Sequence, residues 1–593
     1  VTQNQGIAAL EAGKFAEAVA HLEAAADANP GNGAIHYNLA QALRHVGREG
    51  DAIIRAANAL ACDPALHPAA RLLSYLLGYL RLRNPGGLNP VGLAHAFGFM
   101  DVDHESLAAT ALTYLKHCTA LGQALMLGGT SGWDMGAKWL LSSKGRTVLR
   151  DPLLLATLSA AANTDLDIEQ LLTAVRKALL LSPPKDTVRK GTLLEFACVL
   201  ARQSEINEYV FAVSEEEQDR LAEISINLQG LRDGSRAASE NLVLKALYAP
   251  FWSLLGADGR DIDCRMIKPQ VLSRHVAAHM AERRAEAKTA RGIKSLGVIG
   301  DKTSQNVARL YEENPYPRWL SMHTPTAGAR RDQLVDHFGE DERAFMAAPY
   351  KVLIAGAGTG QQAIDAALGY GPQAALTAID ISLASLAYAK RMAARFGVEN
   401  VQFVHCDILN ADLLDDRFDV IESIGVLHHM DDPWRGWKNL IGALRPGGLM
   451  KIGLYSRAAR RTIASLRGDI QARALSGDEQ TIRAYRQDII AEGDAGDGAF
   501  LRQSADFYSL SNFRDLMFHV SEQHMTIPEI AAFMADNDLS FRGFQLPLDI
   551  AEGYPDGDAV LNLDRWREFE DAHPDTFKGM YVFWCRKNDR DGD

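Results

Sequence analysis

Apolar positions in the first 75 residues recur at helical spacing, and the pattern occurs twice. Gly13, Ala18, Ala25 and Pro30 return as Gly47, Ala52, Ala59 and Pro64, each pair 34 residues apart. Small residues at matched places let paired helices approach closely, and Pro ends the second helix of each pair. Phe15 is the aromatic of the first unit, and Glu49 takes its place in the second. From 76 to 290 the pattern stays helical, with Leu- and Ala-rich stripes and no clear alternation. Pro85, Gly128-Gly129 and Pro183-Pro184 punctuate it. Phe196 to Phe211 places apolar residues at helical spacing around Arg202, Asn207 and Glu208, which read as structural. The basic run Arg283, Arg284, Lys288, Arg291 and Lys294 reads as a solvated helix face.

At Tyr350 the pattern changes to strands alternating with helices. Lys351 to Ala355 is a short apolar run before a Gly turn. Ala374 to Ile381, Val401 to Ile408, Phe418 to Gly425 and Leu449 to Ser456 are further predicted strands. Ser382 is placed to cap a helix running to Arg395, with Gly397 ending it. Leu539 to Gln545 and Gly579 to Arg586 complete a seven-stranded, mainly parallel sheet with helices on both faces. The polar, helical insertion from Arg457 to Thr526 is the kind that forms a lid, a substrate wall or an oligomer contact.

The N-terminal period resembles that of the tetratricopeptide repeat. Two units are too few for a free-standing solenoid, so the array is expected to continue into the helices that follow. The organisation expected is repeats over 1–75, a helical middle domain over 76–290, and a linker with an aromatic lead-in over 291–349. A ligand-binding core over 350–456, the helical insertion over 457–526 and sheet completion over 527–593 follow. The chain of 593 residues, 47% hydrophobic and 23% charged, has the composition of a soluble globular protein. Its most apolar stretch, Leu153 to Ala162, is about half of what a membrane-spanning helix needs. Val1-Thr2-Gln3-Asn4-Gln5 lacks the basic and apolar blocks of a secretory leader, and also an initiator Met. Cys62, Cys118, Cys198, Cys264, Cys406 and Cys585 are scattered, with no two at metal-ligand spacing. They read as buried free thiols of a cytoplasmic protein, and no metal site is expected. The net charge of −13 speaks against nucleic acid as a partner. It fits small molecules, neutral proteins and basic protein segments equally.

The chemistry is concentrated at the predicted strand ends. Gly356-Ala357-Gly358-Thr359-Gly360 follows the first strand, where glycines let the backbone turn sharply and approach a ligand. A glycine triplet alone fits a dinucleotide site as well. Asp380 closes the second strand, 24 residues after Gly356, where a carboxylate can accept both hydroxyls of a ribose. Asp407 closes the third, in place to accept from an adenine amine. Leu427-His428-His429-Met430 follows the fourth, and Leu444-Arg445-Pro446-Gly447-Gly448 turns into the fifth.

This ordered set resembles the class I S-adenosylmethionine-dependent methyltransferases, whose domain is a Rossmann-like α/β fold. The resemblance implies S-adenosylmethionine as cofactor, with Gly356 to Gly360 facing its methionine part. It further implies that Asp380 with Ile381 holds the ribose and Asp407 with Ile408 frames the adenine, with Gln361 and Ser423 also near the cofactor. Many members carry an acid two residues before the first Gly, where this chain has Ile354. Contact with the cofactor's amino group is then expected from backbone carbonyls or Gln361.

A second signature, Tyr311-Glu312-Glu313-Asn314-Pro315-Tyr316-Pro317-Arg318-Trp319, is stiffened by two prolines. Tyr311, Tyr316, Arg318 and Trp319 are candidate acceptor-binding residues, and an aromatic wall suits a cationic amine. The alternative is a packing motif between domains. Tyr316 is expected to face the transfer site while Trp319 anchors the segment on the helical half. With the upstream repeats, and Phe507-Tyr508, Arg514-Asp515 and Phe518-His519 downstream, this signature is similar to a group of large fused bacterial methyltransferases. A more distant similarity is to rickettsial protein-lysine methyltransferases. It implies a protein or peptide acceptor, with lysine nitrogen favoured.

His428, His429 and Tyr316 are the candidate catalytic residues, since an amine acceptor must lose a proton before it attacks. Two other readings remain open. One is a methyltransferase of a small metabolite or peptide natural product, with the helices serving homodimerisation. The other is a non-catalytic scaffold that binds cofactor and partner.

Overall fold

The computed structural model describes residues 2–80, 82, 85–182, 192–257, 259, 261–338, 349–546, 550 and 557–588. The Pro183-Pro184 break and the lead-in from 339 to 348 lie outside the described residues. The chain divides into two compact units. One comprises Val1–Arg283, Leu320–His323 and Glu479–Leu510, and the other Arg284–Trp319, Thr324–Asp478 and Ser511–Asp593. The insertion over 457–526 therefore contributes to both.

The first unit is helical. Thr2–Glu11, Phe15–Ala28, Gly33–His45 and Glu49–Cys62 form the two hairpins, which turn at Gly13 and Gly47. Ala18, Ala25, Ala52 and Ala59 are buried where the helices meet, as the period requires. His67–Tyr79 packs on Glu49–Cys62 and continues the array. Phe15 stacks on His45 with ring centroids 4.1 Å apart, so its contact lies within the adjoining pair of helices rather than with a second repeat aromatic. Asn207 is buried and donates from Nδ2 to the carbonyls of Asn163 and Tyr508, a structural use of that polar cluster.

The second unit is built on an eight-stranded sheet. Its strands are β1 (Lys294–Leu296), β2 (Tyr350–Ala355), β3 (Ala374–Asp380), β4 (Val401–Cys406), β5 (Phe418–Ile424), β6 (Leu444–Leu454), β7 (Leu539–Phe544) and β8 (Tyr581–Lys587). The order is β1-β4-β3-β2-β5-β6-β8-β7, with β8 antiparallel to both β6 and β7 and the other pairs parallel. Seven of these strands match the predicted set. The eighth, β1, was not expected: Lys294 was placed on the basic helix face, but the helix Gln270–Ala290 ends before it and Lys294 pairs with Val404. Three residues are too few to give a readable alternation.

Strand β6 begins at Leu444, five residues earlier than expected. Arg445 to Gly448 form an irregularity in its pairing with β5 rather than a turn outside it. Ser382 caps Leu383–Arg395 through Ser385 N–H, at 3.1 Å. No helix among the described residues is long and apolar enough to cross a membrane. Cys198, Cys406 and Cys585 are buried, but Cys62 and Cys118 are exposed, which corrects the expectation of six buried thiols.

Candidate functional site

Parallel strands deliver their C-terminal ends to one edge of a sheet, and a ligand crevice forms where the chain order reverses. Here the reversal lies between β2, which runs to β3 on one side, and β5 on the other. A cavity of about 320 Å³ opens at that point. Gly356, Ala357, Gly358 and Thr359 line it from the end of β2, with Gln361 from the helix that follows. Asp380 and Ile381 line it from β3, and Asp407 and Ile408 from beyond β4. Gly425, Val426 and His429 follow β5. Tyr311, Tyr316 and Pro317 close it from the aromatic segment.

Local folding explains these placements. Gly356 has a φ of +80°, and a Cβ there would overlap the Val426 side chain. The Asp380 carboxylate turns back onto the loop and accepts from Gly358 N–H at 2.8 Å and Ser382 N–H at 2.9 Å. Burial pushes this carboxyl above its ordinary range, against the pull of those two N–H groups. Asp407 accepts from Leu409 N–H at 2.9 Å, which fixes its side chain at the cavity wall. The Tyr311 and Tyr316 rings stack 6.2 Å apart, and the Tyr311 hydroxyl donates to Asp515 at 2.7 Å.

Residues 348–487 match the family model described as a methyltransferase domain, and residues 9–74 match that of the tetratricopeptide repeat. The chain carries a methyltransferase domain. An uncharacterized protein of Synechococcus sp. is 29% identical over 271 residues, 41% of this chain. An uncharacterized methyltransferase of Mycobacterium bovis is 32% identical over 77 residues, 13% of this chain. The chain spans 60% of the length of the first relative and 38% of the second. Among solved structures, PKMT2 from Rickettsia typhi in complex with AdoHcy aligns over 41% of this chain and 49% of that one. Its TM-score is 0.32 and its identity 16%.

Within the sheet unit, five of the residues singled out from sequence do not line the cavity. Gly360, with a φ of +87°, allows close helix packing, since a Cβ there would overlap Ala389. Ser423 is fully buried on β5, with no hydrogen-bond partner for its Oγ. His428 turns inward and stacks on Tyr455 at 3.7 Å. Both its ring nitrogens are buried without a partner, and burial holds it well below the ordinary imidazole range. Arg318 lies over the Tyr388 ring, 5.8 Å from its centroid. Trp319 does not anchor the segment on the helical half. Its Nε1 donates to the Thr359 carbonyl at 3.2 Å and its ring packs on Tyr388 and Phe396, all within the sheet unit. Pro317 holds the chain against the glycine loop, where its carbonyl accepts from Thr359 Oγ1, so the neighbouring indole follows it there.

The acid absent at Ile354 has a counterpart one strand away. Glu422 on β5 is in register with Ile354, but it is consumed by Arg330, Tyr370 and Gln362 and stays off the cavity. Sequence reading gave no role to Asp515, Tyr455 and Met580, which also line the cavity. Tyr455, Asp515 and Met580 lie 26, 86 and 151 residues beyond His429, and no spacing to that residue brings them back.

Proposed function

We propose that this protein transfers a methyl group from S-adenosylmethionine to a protein side-chain nitrogen, with lysine favoured. The observation that carries the reading is the convergence of the glycine loop, Asp380, Asp407 and the stacked tyrosine pair on one cavity at the sheet's switch point. The residues fit the cofactor. Gly358 lines the cavity with no side chain of its own, Asp380 keeps lone pairs for two hydroxyls, and Asp407 stands one strand further along for the adenine amine.

When bound, the cofactor supplies an already activated methyl, so the chain's task is alignment and exclusion of water. Tyr311 and Tyr316 bound the acceptor path, and their stacked rings suit an amine that arrives as a cation. His429, not His428, is the candidate ring on the cavity wall for proton removal. The tetratricopeptide repeats, whose arrays commonly present concave binding surfaces, favour a protein acceptor over a small one. The resemblance of the aromatic segment to that of rickettsial protein-lysine methyltransferases points the same way.

Incubating the purified chain with methyl-labelled S-adenosylmethionine and a cell lysate tests the reading. Label is expected in protein, at lysine by peptide mass spectrometry. Label confined to small molecules overturns the protein acceptor, and no transfer to any fraction overturns the reading as a whole.

A further inference from the structure

We propose that His429, Asp515 and His519 form a binding site for a divalent transition-metal ion, zinc by preference, opening onto the cofactor cavity. All three are buried, and one ligating atom of each lies within 4.8 Å of one from each of the others. They come from separate stretches of the sheet unit. His429 ends the tight turn Leu427–His429 after β5, Asp515 sits in the helix Leu510–Phe518, and His519 follows that helix directly, four residues after Asp515.

The two imidazoles are oriented by one atom. The Ser521 carbonyl oxygen lies 2.9 Å from His429 Nδ1 and 2.6 Å from His519 Nδ1. Ser521 N–H also approaches His519 Nδ1, at 3.1 Å. At His429 an Nδ1–H given to that carbonyl leaves the lone pair on Nε2, the arrangement usual for metal-ligating histidines, and His519 takes the same tautomer only when its Nδ1 donates to the carbonyl rather than accepting from Ser521 N–H. The rings lie with centroids 3.8 Å apart and their planes tilted by 35°. His519 Nε2 is buried without any hydrogen-bond partner, a condition that calls for an occupant. Asp515 is steadied on one oxygen by the Tyr311 hydroxyl, at 2.7 Å, as an outer partner steadies a ligating carboxylate.

Two imidazole nitrogens and one carboxylate suit zinc and its first-row neighbours, not magnesium or calcium, which prefer oxygen. Three protein ligands leave a position open, the pattern of catalytic rather than structural zinc. That position faces the cavity, because His429 and Asp515 are themselves part of its wall beside Val426 and Tyr455. One consequence rests on the methyl-transfer reading, although the ion site does not. A water on the ion would lose its proton to solvent near neutral pH. The resulting hydroxide takes a proton from the acceptor ammonium, which gives bound water and a free amine whose lone pair attacks the methyl carbon. His429 is then a ligand rather than a base.

The full chain, freed of metal by chelator dialysis, is titrated with zinc alone, and bound metal is counted by mass spectrometry after gel filtration. About one ion per chain is expected, with a raised unfolding temperature. Asp515→Asn and His519→Gln are each expected to lower zinc affinity by about 100-fold or more while unfolding cooperatively. A wild-type chain that retains no zinc, manganese or ferrous iron overturns the site, whether or not the variants fold. So does retention undiminished in the variants. S-adenosylhomocysteine titrated into the metal-free chain separates the two readings. Binding without metal retention removes only the ion site, and metal retention without cofactor binding removes only the methyltransferase reading.

Discussion

Glu169 in the helical unit and Asp380 in the sheet unit are both buried, at 1% and 8% exposure, yet their partners differ in kind. Glu169 meets Arg486, whose Nη2 donates to its two carboxylate oxygens at 3.2 and 3.0 Å. The remaining guanidinium donors reach the Phe507 and Val210 carbonyls, and the Phe507 ring lies 4.2 Å from the guanidinium carbon. Asp380 is held by two backbone N–H groups and faces a cavity. A buried acid fully matched by a cation is a structural element. A buried acid left with spare lone pairs beside open space is arranged for something that is not part of the chain.

The contrast is broken most directly by removing one side of the matched pair. Glu169→Gln leaves Arg486 buried with its charge uncompensated and is expected to destabilise by about 3–5 kcal/mol in chemical denaturation. A loss under about 1 kcal/mol would show that the pair is not what fixes this part of the helical unit. A smaller effect is expected in the repeats. Ala52, fully buried between paired helices, has no room for a larger side chain, and Ala52→Leu should cost about 1–3 kcal/mol. Wild-type stability in that variant would detach the period from the packing that explains it.

The repeats and the sheet were legible for a shared reason: their signals are local and periodic. Gly13 and Gly47 mark turns one period apart, and Ser382 and Gly397 bracket a helix by their own chemistry. The wall of the cavity built from the glycine loop, Asp380 and Asp407 was legible because its residues sit at strand ends, where fold and chemistry coincide. The wall beyond β5 was not. His428 and His429 are adjacent in sequence, but the tight turn carrying them aims one ring inward and one at the cavity. Asp515 reaches that wall from a helix 86 residues after His429, through contacts no spacing rule encodes. Trp319 was assigned the wrong neighbours because an extended segment's direction depends on what it lies against.

The central claim is that Asp380 serves a ligand rather than the fold. It is tested by calorimetric titration of S-adenosylhomocysteine into wild-type protein and Asp380→Asn, with thermal unfolding of both across pH. Burial raises this carboxyl in the folded state, so its contribution to stability is present below the unfolded value near about 3.9 and lost as pH rises through the folded one. Any stability deficit of the variant should therefore shrink from acid to neutral pH, and at neutral pH be smaller than that of Glu169→Gln. Its affinity for S-adenosylhomocysteine should fall by about 1–3 kcal/mol, roughly 5- to 150-fold. A folded variant that binds S-adenosylhomocysteine as tightly as wild type would contradict the account.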